Sequence, residues 1–176
     1  MITAGFIRGG HGVVRGGQWG QSKKRRFSPL TQTTIRLNQS HVLACLRLDA
    51  RTLNGLWNSD HWERELSDPQ RLCIGIAANA DDLLAMACGW VVMDELQITL
   101  IAVAPEQRRR GLGRTVLNQL LADANNAGAK QAFLDVAEDN LGAKALYSAL
   151  GFKTIGRRAG YYRNGKDALI QSLEMQ

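Results

Sequence analysis

The sequence predicts an α/β layer protein of the α+β kind, with a mixed and mostly antiparallel sheet flanked by helices. Three observations predict it. Residues 72–103 hold three apolar runs separated by short polar turns, the pattern of an antiparallel meander. Beyond Gly111 the apolar period changes, and Val116, Leu117, Leu120, Leu121 and Ala124 recur at helical spacing. From there strand-like and helix-like segments alternate to the end of the chain, so helices must cover a sheet.

The elements follow in order. Thr33–Leu37 reads as a first strand. Ser40–Asp49 reads as a helix with its stripe on Val42, Leu43, Leu46 and Leu48, and a second, shorter helix spans Asp60–Leu66 with Ser59 as its N-cap. Leu72–Ala78 and Leu84–Met93 are strands joined by a turn over Asn79 to Asp82. A turn at Asp94–Glu95 leads into the strand Leu96–Val103. The next helix starts near Gly111 and stops near Gly128. Gln131–Ala137 is a strand, Leu141–Leu150 a helix capped by Gly151, and Phe152–Gly156 and Ala168–Leu173 are closing strands.

Two regions of unlike composition divide the 176 residues. Residues 1–30 contain Arg8, Arg15, Lys23, Lys24, Arg25 and Arg26, seven glycines and no acid. Such a segment buries too little apolar area to offset its ordering entropy, and it is expected to be a disordered basic leader. Residues 31–176 form the folded domain, with basic and acidic side chains in balance. The net charge of +6 therefore belongs to the leader. It is weak evidence for nucleic-acid binding by the fold, although RNA contact by the leader itself stays open.

Composition excludes several classes. No apolar run approaches the roughly 20 residues of a membrane span, so no membrane partner is expected. Cys45, Cys73 and Cys88 are odd in number and form no C-x-x-C pair, which disfavours a disulfide framework and fits a reducing, cytoplasmic setting. His11, His41 and His61 stand in no ligand motif, and no metal site is expected.

The most specific stretch runs from Val103 through Pro105 and Arg108-Arg109-Arg110-Gly111-Leu112-Gly113-Arg114, between an apolar strand and an amphipathic helix. Glycine lets backbone approach a ligand closely. The first helical turn points unpaired N–H groups at its positive end, where an anion binds. Arg108, Arg109, Arg110 and Arg114 add charge of the right sign for a pyrophosphate. No G-K-[ST] follows, so this is no Walker loop. The preceding strands read as antiparallel, and no dinucleotide fingerprint is present.

The stretch Ile101-Ala102-Val103-x-Pro105-x-x-Arg108-x-x-Gly111-x-Gly113 resembles the acetyl-CoA motif of the GNAT acyltransferases. A second block, Asn140-x-x-Ala143-x-x-Leu146-Tyr147-x-x-Leu150-Gly151-Phe152, resembles that family's pantetheine and thiolate region. The likeness covers roughly residues 33–174 and is tight over 94–173. Within the family, Asp94-Glu95-Leu96, Gly160-Tyr161-Tyr162 and Gly165-x-Asp167-Ala168-Leu169 resemble the RimI-type ribosomal-protein-alanine N-acetyltransferases, as does Trp57 more loosely.

The resemblance implies a GNAT fold, acetyl-CoA as cosubstrate and acetyl transfer to a primary amine, in first place the α-amino group of a protein or peptide N-terminus such as a ribosomal protein. It implies that the backbone of Ile101, Ala102 and Val103 holds the pantetheine arm. Arg108, Arg109, Arg110, Gly111, Leu112, Gly113 and Arg114 would surround the phosphates. It makes Asn140 a pantetheine contact and Tyr147, seven residues on and on the same helix face, the general acid at the sulfur. Asp135 is the candidate base, a departure because the RimI-type pattern has Glu there. A structural salt bridge is the competing reading of Asp135, as core packing is of Tyr147. Tyr161 and Tyr162 are candidate acceptor contacts, or packing aromatics on a hairpin. A lysine or small-molecule amine acetyltransferase, and a non-enzymatic CoA- or ribosome-binding module, are the alternatives.

Overall fold

The three apolar runs form the expected meander in a computed structural model that describes residues 33–175. The leader of residues 1–30 lies outside the described residues. The meander consists of β2 (Arg71–Asn79), β3 (Asp82–Val92) and β4 (Glu95–Val103). A two-residue strand β1 (Ile35–Arg36) pairs with β2, shorter than the expected Thr33–Leu37. Beyond the meander come β5 (Gln131–Ala137), β6 (Lys153–Arg158) and β7 (Ala168–Glu174). The sheet order is β1-β2-β3-β4-β5-β7-β6. Among the described residues β4–β5 is the one parallel pair, so the sheet is mixed and mostly antiparallel, as predicted.

Alternation of side chains along the strands creates two cores, one on each face. On one face lie α3 (Leu112–Asn126) and α4 (Leu141–Ser148), packed on Ile74, Leu96, Ile98, Leu134 and Val136. Val116, Leu117 and Leu120 of α3 are completely buried there. Each such side chain contributes roughly 1.5–3 kcal/mol on leaving water. On the opposite face α1 (Val42–Thr52) and α2 (Ser59–Ser67) cover Cys73, Met86, Cys88 and Leu100.

Two expectations about α1 and α2 are corrected. The buried stripe of α1 is Ala44, Cys45, Leu48, Asp49 and Thr52; of the expected stripe Leu48 is buried, Val42 and Leu46 pack at its edge, and Leu43 alone is exposed. The inward face also carries the fully buried carboxylate of Asp49, which is met by donors from the α1–α2 connection and α2. Its Oδ1 accepts from the Leu56 amide at 2.8 Å, and Oδ2 from the Trp57 amide at 2.9 Å and the Trp62 indole at 3.2 Å. One side chain thereby shapes the whole α1–α2 connection. The N-cap of α2 is Asn58 instead of Ser59, since its Oδ1 accepts from the His61 amide at 2.9 Å. Asn serves that position well because its short side chain reaches back to the first turn.

Candidate functional site

The site begins with a break in the sheet. β4 and β5 pair only at Glu95–Gln131, Leu96–Ala132 and Gln97–Phe133. Beyond them the two strands diverge, while β5 stays paired to β7 along its whole length. A bulge explains the divergence. Cys88 pairs with Leu100 and Gly89 with Ile98, leaving Thr99 as an extra residue on β4. An extra residue bends and twists its strand. Gly89 is required beside it, because a Cβ there would stand 2.9 Å from the Gln97 carbonyl oxygen. The gap side of β4 from Ile98 to Val103 is thus an unpaired strand edge, suited to an extended ligand that adds like a strand. The side chains of Ile101, Ala102 and Val103 are buried in the two cores, so it is their backbone that faces recognition.

The loop after β4 closes one end of the gap. A short 3₁₀ turn spans Pro105–Gln107, and the αL conformations of Arg109 (φ 64°) and Gly111 (φ 83°) bend the chain into α3. Gly111 is the N-cap of α3 and supplies no side-chain cap, so the first amides of the helix stay directed at the loop. Leu112 is buried and offers only its backbone. Arg109, Arg110 and Arg114 are exposed around this end. Arg108 is half-buried, donates from Nε to the Val103 carbonyl at 3.3 Å, and has its guanidinium pKa lowered by burial. Arg51 of α1 pairs with Glu106 and, at 3.3 Å, with Asp82, tying the loop to the other layer.

Gly113 has a packing reason beyond the one expected. A Cβ there would lie 3.3 Å from Leu146 Cδ2 and 3.4 Å from Val103 Cγ2, so the bare backbone lets α3, α4 and β4 meet. Gly113→Val is therefore expected to weaken coenzyme binding by about tenfold or more and to lower Tm, since overpacking costs about 1–3 kcal/mol. Gly111→Ala meets no neighbour and strains only φ. Calorimetry with acetyl-CoA and thermal melts on both variants check this. Coenzyme affinity unchanged in Gly113→Val would show that the loop does not meet the phosphates.

Opposite the loop, Asn140 caps α4 by accepting the Ala143 amide at 3.2 Å. Its Nδ2 is buried without a hydrogen-bond partner among the described residues, an orphan donor at the rim of the gap. Tyr147 lies on the same helix, almost wholly buried, with its ring 5.8 Å from Phe152. Burial, and secondarily Tyr162, pushes its hydroxyl above the ordinary tyrosine range.

Asp135 is 4% exposed and lies on the strand face opposite Leu134 and Val136, which belong to the α3–α4 core. It thus faces the α1–α2 layer, while Tyr147 belongs to the other. Arg158 Nε stands 3.9 Å from its Oδ1. Between β6 and β7, Tyr161 and Tyr162 meet edge-on at 5.2 Å, and the Arg158 guanidinium lies 5.5 Å from the Tyr161 ring centre. The Tyr162 hydroxyl is buried without a hydrogen-bond partner among the described residues. Burial first, then the Asp135 charge, raises its pKa. Tyr162 therefore lies within electrostatic reach of both Asp135 and Tyr147.

A model described as the acetyltransferase (GNAT) family matches residues 42–152, from the start of α1 to the residue before β6. The chain belongs to the GNAT acetyltransferase family. The GNAT fold is also that of the ribosomal-protein-S18-alanine N-acetyltransferase from Escherichia coli, similar with a TM-score of 0.74 and 29% identity, over 82% of this chain and 94% of that one. The N-alpha-acetyltransferase RimI of Mycobacterium tuberculosis is 33% identical over 139 residues, covering 75% of this chain and 85% of that protein. A longer relative, the uncharacterized protein ML0378 of Mycobacterium leprae, is 35% identical over 147 residues, and the chain spans 40% of its length. Among the described residues of this GNAT domain no helix is long and apolar enough to cross a membrane.

Several structural features around the gap and its supporting layers were not read from the sequence. The Thr99 bulge with Gly89 carries no motif, and only a strand of unexpected phase after Leu96 hints at it. Asp49, Arg51 and Arg157 act through partners distant in sequence.

Proposed function

We propose that this GNAT domain transfers acetyl from acetyl-CoA to the α-amino group of a protein N-terminus, with a ribosomal-protein alanine as the acceptor. The observation that carries the reading is the gap between β4 and β5. Around it stand two sets of groups: an uncapped helix N-terminus with the orphan Asn140 amide, and Asp135 with the orphan Tyr162 hydroxyl. An anionic, amide-bearing coenzyme fits the first set, and an extended peptide ending in an ammonium fits the second. The likeness to enzymes named for N-terminal alanine supports the acceptor class. Three free, buried cysteines suit a reducing cytoplasm.

The coenzyme supplies an acetyl thioester. Residues 108–114 would bind its phosphates, and the β4 edge at Ile101–Val103 and Asn140 its amide-bearing arm. Asp135, acting through a water, would take the proton that frees the amine lone pair for attack on the thioester carbonyl carbon. A backbone N–H of β4 would meet the carbonyl oxygen as it gains charge. When the carbon–sulfur bond breaks, Tyr147 would give its proton to the departing sulfur, and the second proton lost by the nitrogen as it becomes an amide would restore the hydroxyl through solvent. The raised pKa of Tyr147 keeps the hydroxyl protonated at neutral pH, so the proton is present when the sulfur departs. Tyr161 and Tyr162 would hold the acceptor backbone.

Mass spectrometry of peptide acetylation tests the acceptor. A peptide with a free N-terminal alanine should gain one acetyl group, whereas the same peptide blocked at its N-terminus and bearing a lysine should not. The reverse outcome would make this a lysine acetyltransferase. Asp135→Asn should lower turnover by about 10²-fold at neutral pH, the scale of a general base. The loss should shrink as pH rises and more amine is already neutral. Asp135→Glu should retain substantial activity. Rates and Tm of the Asn variant separate this role from a structural pairing with Arg158, which would lower Tm and spare the rate.

A further inference from the structure

We propose that Arg157 is a positioning residue for acceptor binding, locking the Tyr161–Tyr162 segment against the strand that carries Asp135. The inference rests on the acceptor site proposed above.

The segment of residues 159–167 leaves the sheet after β6 and returns at β7. Its conformation is set by a small number of contacts. Arg157 donates from Nε to Asp167 Oδ2 at 2.6 Å and from Nη2 to Glu138 Oε2 at 2.9 Å. The other Asp167 oxygen accepts the Gly160 amide at 2.8 Å. One guanidinium and one carboxylate thereby join both ends of the segment to each other and to the end of β5. The Glu138 amide donates to the Asp167 carbonyl at 3.1 Å, and Lys166 pairs with Asp139. Inside the segment a turn forms through Tyr162 N to Lys166 O at 3.0 Å and Gly165 N to Tyr162 O at 2.8 Å.

The anchoring points are not scattered. Glu138 and Asp139 stand between Asp135 and Asn140, on the short connection from the candidate base to the α4 cap. Fixing the segment there sets the place of the Tyr162 hydroxyl, which is buried, unpartnered among the described residues and beside Asp135. The Gly160 amide and Arg157 hold the Asp167 carboxyl below its usual range, so the clamp stays charged at neutral pH.

Magnitude assigns the clamp to positioning and not to stability. The side chains of Arg157 and Glu138 are 57% and 48% exposed, and that of Asp167 is 19% exposed, so Arg157 meets both carboxylates from the solvent side. Exposed pairs add little to global stability and weaken with salt. A segment with few buried contacts opens locally at low cost, so the same pairs decide its local order. The effect of losing them should appear in acceptor KM, leaving kcat and Tm nearly unchanged.

The test compares the whole chain with Arg157→Ala and Arg157→Lys. Amide hydrogen exchange is read without substrate, and kinetics are read with acetyl-CoA and a peptide carrying a free N-terminal alanine. Arg157→Ala should speed exchange in residues 159–166 and leave α3 and β4 protected as in the parent. It should raise peptide KM by about five- to tenfold, with kcat and acetyl-CoA KM changed by less than about twofold. Peptide KM of the parent should rise between about 50 and 500 mM salt, and that of Arg157→Ala should respond less. Arg157→Lys, able to keep one of the two carboxylates, should fall between. Unchanged exchange in residues 159–166 would overturn the clamp whatever the activity. Faster exchange with unchanged KM would overturn its role in acceptor binding. If the parent acetylates a lysine side chain and not the free alanine, the acceptor reading fails. The exchange result and the KM for that lysine peptide then decide the clamp independently.

Discussion

Tyr147→Phe is expected to lower the single-turnover rate of acetyl transfer by about 10²–10⁴-fold, the range a general acid supplies. The substitution removes one oxygen and keeps the ring, which packs beside Phe152 in the α3–α4 core. Fold and coenzyme affinity should therefore persist, and Tm should stay close to that of the parent. Rapid-quench measurement at saturating acetyl-CoA isolates the chemical step from product release. An unchanged rate there would reduce Tyr147 to a packing residue, despite its place on the face of α4 that begins at Asn140. Because burial raises its pKa above the ordinary tyrosine value, the hydroxyl stays protonated through neutral and mildly alkaline pH. Activity should then show no fall from loss of this acid until the pH exceeds the normal tyrosine range. A fall assigned to Tyr147 near neutrality, absent from Tyr147→Phe, would contradict that environment.

The second large effect is expected in stability. Asp49→Ala strips the acceptor from the Leu56 amide, the Trp57 amide and the Trp62 indole at once, and leaves a cavity beneath the α1–α2 connection. A buried donor without a partner costs about 1–3 kcal/mol, and water can reach the half-buried Leu56 amide. The sum is roughly 3–5 kcal/mol, which for a domain of this size lowers Tm by roughly 10 °C or more. Asp49→Asn keeps the shape and one acceptor oxygen and turns an amide group toward the donors, so it should lose about half as much. Thermal melts of the two variants check this. A Tm within about 2 °C of the parent for Asp49→Ala would mean that the loop finds other partners. Acetyl-CoA binding should survive in the folded fraction, because Asp49 lies on the opposite face of the sheet from α3.

The meander, the helix after Gly111 and the strand–helix alternation beyond it were legible because each depends on local periodicity. The loop from Pro105 to Arg114 and the Asn140–Tyr147 pair were legible because their spacing is fixed by one turn and by one helix. The phase of α1 was not. Counting apolar residues favoured Leu43, whereas the helix turns inward on Ala44, Cys45 and Leu48, and on Asp49, whose donors arrive 7 to 13 residues later. The cap of α2 was placed one residue late for a related reason. Asn58 and Ser59 are both good caps, and only the direction of the incoming chain selects between them.

The sequence by itself determined the order of elements and the family, and it named the candidate reactive side chains, from patterns within and between neighbouring elements. Tertiary structure alone decided where those side chains meet. Thr99 bulges out of β4 between the pairs Cys88–Leu100 and Gly89–Ile98, Arg51 joins α1 to Glu106, and Arg157 joins β6 to Glu138 and Asp167. Such contacts exist only after strands have chosen register and layers have stacked. Hydrogen bonds and ion pairs act over a few ångströms, and chain connectivity does not bring these groups that close until the sheet has formed.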